Sequence, residues 1–136
     1  MSRNDLKKTI PLIDASLLTT ALDKFAVDRN WTQFHSPKNL VMALTGEVGE
    51  LSEVFQWMSE ADSHQAATNP ETAQAVKDEI ADVLLYLVRL ADVLNVDLNE
   101  AVTDKLKTNE LKYPIESSLG VSTKYNKKNY RHSKVV

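Results

Sequence analysis

The sequence contains no cysteine and, in 136 residues, only three histidines, three glycines and four prolines. Without cysteine, disulfides, thiolate nucleophiles and cysteine-type zinc sites are excluded, so oxygen atoms or histidines would have to hold any metal. So few glycines and prolines do not suit a β-protein with many turns. No apolar run approaches the roughly 18 residues of a membrane span. Residues 1–13 lack the apolar core of a signal peptide. We therefore expect a soluble, cytoplasmic protein.

The charged residues are unevenly distributed along the chain. Apolar residues make up 43% and charged residues 26%, as in ordinary globular proteins, and the length suits one domain. From Thr123 onward there are five basic residues and no acid, whereas the preceding part has eleven basic and nineteen acidic residues, a net charge of −8. An acidic body disfavours binding to nucleic acid and favours binding of a hard cation. We expect neither nucleic acid nor a membrane as a partner.

Apolar spacing and capping signals predict an all-α fold of four helices. Their predicted ranges are 16–30, 37–60, 70–94 and 98–112. Ser36-Pro37 and Asn69-Pro70 are the cap-plus-proline signals that open the second and third helices. The second half of the third helix is apolar nearly all round, which indicates burial on most sides, by this chain or by another subunit. We predict a four-helix bundle over residues 1–114 and an extended basic tail over 115–136.

Two carboxylates on the second helix stand close to its apolar face. A rotation of about 100° per residue places Glu47 in the middle of that face and Glu50 about 60° to one side. Gly46 and Gly49 flank them at a cost of about 1 kcal/mol each in helix propensity, which suggests a close approach to this backbone.

The third helix repeats this pattern with Glu79 and Asp82. Four carboxylates converging in a bundle would repel one another unless a cation neutralised them, and oxygen-only ligands favour Mg²⁺, Mn²⁺ or Ca²⁺. A single acidic pair of this spacing is more often an ordinary solvated helix face. A di-iron bundle would need Glu-x-x-His pairs, which the sequence lacks.

The carboxylate segments resemble known motifs. Glu47-Val-Gly-Glu50-Leu-Ser-Glu53 and Glu79-Ile-Ala-Asp82-Val-Leu-Leu-Tyr86 resemble the ExxE and ExxD motifs of the MazG-like, all-α nucleoside triphosphate pyrophosphohydrolases. Within that family the sequence most resembles the dCTP pyrophosphatase subgroup. The segments that carry this likeness are Trp31-Thr-Gln-Phe34-His35, Phe55-Gln56-Trp57, Lys112-Tyr113-Pro114 and Ser122-Thr-Lys124-Tyr125. The likeness spans about residues 22–125.

The resemblance implies magnesium-dependent cleavage of a nucleoside triphosphate, dCTP or a modified dCTP, to the monophosphate and pyrophosphate. It implies that Mg²⁺, or Mn²⁺ as a substitute, is held by Glu47, Glu50, Glu79 and Asp82. Residues carried over for the nucleotide are Lys38, Lys105 and Lys112 for the triphosphate, Asn109 for a nucleotide contact, and Trp31, His35, Trp57 and Tyr86 around base and sugar. It also implies a homo-oligomer, a tetramer rather than a dimer.

The chemistry needs no dedicated nucleophile, because phosphoryl transfer depends mainly on positioning and charge neutralisation. Glu50 or Glu53 would orient the attacking water as general base, and the sequence does not choose between them. Several alternatives stay open. The aromatic residues would otherwise be core packing and the lysines surface charges. The same fold could act on dUTP or phosphoribosyl-ATP, or the chain could be a non-catalytic helical interaction module.

Overall fold

The computed structural model describes residues 10–124, and every regular element in that range is a helix. The helices are α1 (Ser16–Asp28), α2 (Pro37–Phe55), α3 (Glu60–Ser63), α4 (Ala73–Val93), α5 (Leu98–Lys112) and α6 (Ile115–Ser118), with a 3₁₀ turn at Thr32–Phe34. The all-α prediction is confirmed, and the four longest helices correspond to the four predicted ones. None of these helices combines the length and the hydrophobicity that crossing a membrane requires.

α2 begins where the sequence predicts and ends earlier. The Ser36 side chain accepts a hydrogen bond from the backbone N–H of Asn39 at 3.2 Å, with Pro37 in the first helical turn. The helix ends at Phe55 rather than at residue 60. α3 then occupies part of the predicted loop, because the Ser59 side chain accepts a hydrogen bond from the N–H of Asp62 at 3.0 Å and caps a new helical turn.

α4 begins three residues later than predicted. Asn69 does not cap the helix, because its Oδ1 accepts a hydrogen bond from the N–H of Glu71 at 3.0 Å and closes a local turn. The hydroxyl of Thr72 donates to the carbonyl of Ala66 at 2.7 Å and fixes the end of this turn. The cap-plus-proline signal therefore marks a turn that leads into the helix at Ala73.

The chain divides into two compact units. In the unit Ile13–Leu98, α4 packs against both α2 and α1. Its buried apolar residues are few and mostly small: Ala26, Leu40, Ala66, Val76, Val88 and Ala91. Leu84 and Leu87 of α4 expose 44% and 43% of their surface. The described residues therefore cover the apolar half of α4 only in part.

The described residues of the other unit are 10–12 and 99–124. The backbone N–H of Leu12 donates to the side-chain oxygen of Asn99 at 2.8 Å and links the two segments. The predicted extended tail differs at its start, where Ile115–Ser118 forms one helical turn after Pro114. Residues 125–136, with most of the basic tail, lie outside the described residues, and the predicted boundary at residue 114 stays a prediction.

Candidate functional site

Three of the four predicted metal ligands form a cluster between α2 and α4. Glu47 and Glu50 of α2 and Glu79 of α4 each offer a carboxylate oxygen, and these atoms lie within 4.8 Å of one another. Asp82 is one helical turn beyond Glu79, and its negative charge acts on Glu47 and Glu79. The i, i+3 spacing on two packed helices thus brings the acids together as the sequence predicts.

The cluster is short of positive charge. The pKa of Glu47 is raised to about 7, first because its protonated form donates a hydrogen bond to Glu50, then because of burial and the neighbouring acids. The pKa of Glu79 is also raised, chiefly by burial and then by the charge of Glu50. The Oε2 atoms of Glu47 and Glu79 are buried and have no hydrogen-bond partner among the described residues. Two orphaned carboxylate oxygens beside a third acid are the donor set that a hard divalent cation fits.

A cavity of about 220 Å³ adjoins this cluster through Asp82. Its walls are formed by Leu22, Phe25, Trp31, His35, Asp82, Leu85, Tyr86 and Arg89. A second cavity of about 230 Å³ shares Trp31, His35 and Tyr86 with the first. Three of the four residues predicted to enclose the base therefore lie together, next to a predicted metal ligand.

The end of α1 places Trp31 at this cavity. Asn30 adopts a left-handed conformation with φ of 55°, and its N–H donates to the carbonyl of Val27 at 3.0 Å. The N–H of Trp31 donates to the carbonyl of Ala26 at 2.9 Å, which completes a Schellman turn. The Trp31 ring packs edge-to-face on Phe25, with ring centres 5.7 Å apart. Backbone and ring contacts together fix the indole in the wall.

Sequence reasoning missed Arg89, a buried charge beside His35. Only 5% of Arg89 is exposed, and it contacts His35, Asp23 and Asp92. One signal was present, because Arg89 is a charged residue inside the apolar half of α4. Its partner Asp23 has no distinguishing pattern in the sequence.

Three other predicted residues, Trp57, Glu53 and Lys38, do not line the cavities at Trp31. Trp57 is 89% exposed and lines a separate cavity of about 400 Å³ with residues that follow α2. Glu53 and Lys38 are exposed on α2, and neither lines the cavities at Trp31. Lys105, Asn109 and Lys112 belong to α5, in the other unit of the chain, and their nucleotide contacts stay predictions.

The two glycines of α2 have open space around them. A Cβ atom built on Gly46 or Gly49 meets no atom within 4 Å. The close approach predicted from these glycines is therefore not made by any described part of the chain itself.

Comparison with known proteins places this geometry in a family. The MazG-like family model matches residues 43–127. The dCTP pyrophosphatase 1 of Rattus norvegicus is 49% identical over 102 residues, and those of Mus musculus and Homo sapiens are 48% and 44% identical over the same length. In each case the match covers 75% of this chain and 60% of the relative. The chain thus spans less than two thirds of the length of these curated relatives.

A solved structure gives an independent comparison. The crystal structure of a pyrophosphatase from Archaeoglobus fulgidus DSM 4304 superposes with a TM-score of 0.67 and 40% sequence identity. The superposition covers 72% of this chain and 90% of the archaeal one. Since the family model extends over more than half of the sequence and includes the three clustered acids and Asp82, the chain belongs to the MazG-like family.

Proposed function

We propose that this protein hydrolyses a nucleoside triphosphate, dCTP or a modified dCTP, between its α and β phosphates, releasing the monophosphate and pyrophosphate. One observation carries the proposal: the acidic cluster adjoins, through Asp82, a cavity walled by Trp31, His35 and Tyr86. A cation held by the acids suits the triphosphate, and flat aromatic faces suit the base. The relatives named dCTP pyrophosphatase support the same activity.

The acids fit Mg²⁺, with Mn²⁺ as a substitute, and Glu47, Glu50, Glu79 and Asp82 would hold it. A bound Mg²⁺ supplies positive charge to the phosphate oxygens and lowers the pKa of a bound water. Either Glu50 or Glu53 orients the attacking water and accepts its proton. Both glutamates are exposed, but Glu50 belongs to the acidic cluster, whereas Glu53 lies one turn further along α2. Glu50→Gln and Glu53→Gln are compared in metal binding and in turnover. Loss of metal binding identifies the ligand, and loss of turnover with metal binding retained identifies the base.

The proposed preference for cytosine is supported by the relatives named dCTP pyrophosphatase and not by cavity size, because a cavity of about 220 Å³ between Phe25, Trp31 and Tyr86 admits a purine as well as a pyrimidine. Stacking on an indole accepts any base, so selection also needs polar groups matched to cytosine. Lys38, Lys105, Lys112 and Asn109 complete the proposed contacts with the triphosphate, and Trp57 the proposed contacts with the base.

The proposal includes a homo-oligomer, with a tetramer favoured over a dimer, that acts in the cytoplasm. The apolar surface that Leu84 and Leu87 leave exposed on α4 supports assembly with further copies.

The decisive experiment is a nucleotide panel. Pyrophosphate and monophosphate are measured for dCTP, 5-methyl-dCTP, dUTP, dTTP, dATP, dGTP and phosphoribosyl-ATP, with Mg²⁺, Mn²⁺ or EDTA. The highest kcat/KM is expected for dCTP or its methylated form, and no turnover in EDTA. Glu47→Gln and Asp82→Asn should abolish turnover, whereas Glu60→Gln, an exposed acid outside the cluster, should not. A folded parent protein that hydrolyses none of these nucleotides would favour the non-catalytic interaction module.

A further inference from the structure

Arg89 is the one buried charged residue among residues 10–124. Its Nη1 donates to Oδ1 of Asp23 at 3.0 Å and to Oδ2 of Asp92 at 3.2 Å. The two acid side chains are 58% and 34% exposed, whereas that of Arg89 is 6% exposed. The guanidinium is therefore anchored between α1 and α4 by two carboxylates that remain in contact with solvent.

The third contact of Arg89 concerns the ring of His35. The Nε–H of Arg89 donates to Nδ1 of His35 at 3.1 Å. A guanidinium is always protonated and has no acceptor atom, so Nδ1 must present its lone pair. The proton of a neutral imidazole then sits on Nε2. Among the described residues, no atom accepts a hydrogen bond from this Nε2.

The surroundings of His35 also disfavour its charged form. Burial, and then the positive charge of Arg89, lower its pKa below the usual value. The other ionisable groups around it are Asp23 of α1 and Asp82, Tyr86 and Asp92 of α4. An imidazolium would place an N–H opposite the N–H of Arg89, so hydrogen-bond geometry and charge both favour the neutral ring.

We infer that Arg89 is a positioning residue that holds His35 in the neutral Nε2–H tautomer, so that His35 offers a single uncharged hydrogen-bond donor to an acceptor atom of the bound nucleoside. His35 lines both cavities at Trp31, where a nucleoside has room. A ring in this state donates a hydrogen bond and does not act as the general base. The part of this inference that concerns the nucleoside rests on the proposed function, and the part that concerns the tautomer does not.

The tautomer is read directly from long-range ¹H–¹⁵N spectra of the full chain with labelled histidine, at pH 7.5 and without nucleotide. The His35 signals are assigned with His35→Gln. We expect a protonated Nε2 and an unprotonated Nδ1 in the parent. Arg89→Lys keeps a cation near Asp23 and Asp92 but has no guanidinium Nε, so the two tautomers should mix. Lys24→Gln, an exposed charge change on α1, should leave the parent spectrum unchanged.

Kinetics test the donor role against a merely structural one. In the parent background, Arg89→Lys should raise the KM for dCTP roughly fivefold, the loss expected for one hydrogen bond, with little change in kcat. Glutamine carries its amide donor near the position of Nε2 and needs no tautomer control. In the His35→Gln background, the same Arg89→Lys substitution should therefore leave KM unchanged.

Two results would overturn the inference: a parent spectrum with the proton on Nδ1 or on both nitrogens, or an equal rise in KM in both backgrounds. The spectrum of the parent decides the first point even where Arg89→Lys fails to fold. If no nucleotide is hydrolysed, the proposed function is wrong. The effect of Arg89→Lys in the parent and in the His35→Gln background is then measured as the change in the dissociation constant for dCMP.

Discussion

Glu47 carries the clearest electrostatic conflict in the described chain, because it keeps a proton at pH values where a glutamate is ordinarily ionised. Its pKa of about 7 lies above the usual 4.5, so between these values the folded state binds a proton that the unfolded state releases. Raising the pH through this range therefore lowers the free energy of unfolding. The cause is the proximity of Glu50, Glu79 and Asp82 together with burial.

We predict that in EDTA the Tm of the parent, relative to that of Glu47→Gln, falls as the pH rises from about 4.5 to about 7. The amide of the variant does not titrate, so its Tm lacks this contribution. The lowered pKa of His35 acts in the opposite direction, and it cancels because both proteins carry it. Differential scanning calorimetry at matched ionic strength measures the difference. A constant difference in Tm across this range contradicts the prediction.

Trp31 lines the same cavity as Asp82. Base stacking is worth ~1 to 3 kcal/mol, so Trp31→Ala should lower kcat/KM for dCTP about tenfold or more while the Mg²⁺ concentration for half-maximal activity stays the same. A loss below twofold would contradict stacking on Trp31. The same measurement on Trp57→Ala tests whether Trp57, which lines a different cavity, takes part as the resemblance implies.

At the scale of helices, the sequence predicts where the long helices lie. It is wrong where one short residue pattern is compatible with both a helix cap and a turn. Apolar spacing located α1, α2, α4 and α5, and the i, i+3 acids located the cluster. The Asn69-Pro70 pair predicts a helix cap, but the side chain of Asn69 closes a turn instead. Arg89 was missed because the apolar pattern describes the helix as a whole and does not single out one charged residue. Its partners His35 and Asp23 are also 54 and 66 residues away in the sequence. No spacing rule finds contacts at that separation.

Two matching helix ends allow a test of how α1 positions Trp31. Asn30 after α1 and Asn95 after α4 both adopt the left-handed conformation, with φ of 55° and 54°, and both stand in Schellman turns. Alanine tolerates this conformation less well than asparagine, so each Asn→Ala variant should lose about 1 kcal/mol of stability. Asn30→Ala should also raise the KM for dCTP, because Trp31 is the next residue.

Asn95→Ala is the matched control, because it should lose similar stability without a change in KM. Urea unfolding gives the two stabilities and pyrophosphate release the two KM values. Equal KM values for both variants would show that the turn after α1 does not set the position of Trp31.

At the scale of the whole molecule, the charge of the chain is divided between an acidic body and a basic end. Lys127, Lys128, Arg131 and Lys134 lie outside the described residues, so the expectation for them comes from the sequence alone. Removing residues 126–136 should leave turnover nearly unchanged at physiological salt, because none of the proposed site residues lies in this segment. A large rise in KM that depends on salt would instead show that the basic end attracts the triphosphate.

The apolar surface of α4 leads to the last prediction. The buried residues of the unit Ile13–Leu98 are mostly small, while Leu84 and Leu87 remain more than two fifths exposed. A helix that is apolar nearly all round gains stability when a further copy covers its second side. The parent should therefore be an oligomer by light scattering at micromolar concentration, with a tetramer expected from the family resemblance. Leu84→Glu should dissociate it by placing a charge in the interface, whereas Ala75→Glu, on the opposite side of α4, should not. A monomeric parent, or equal dissociation by both variants, would contradict assembly through this face.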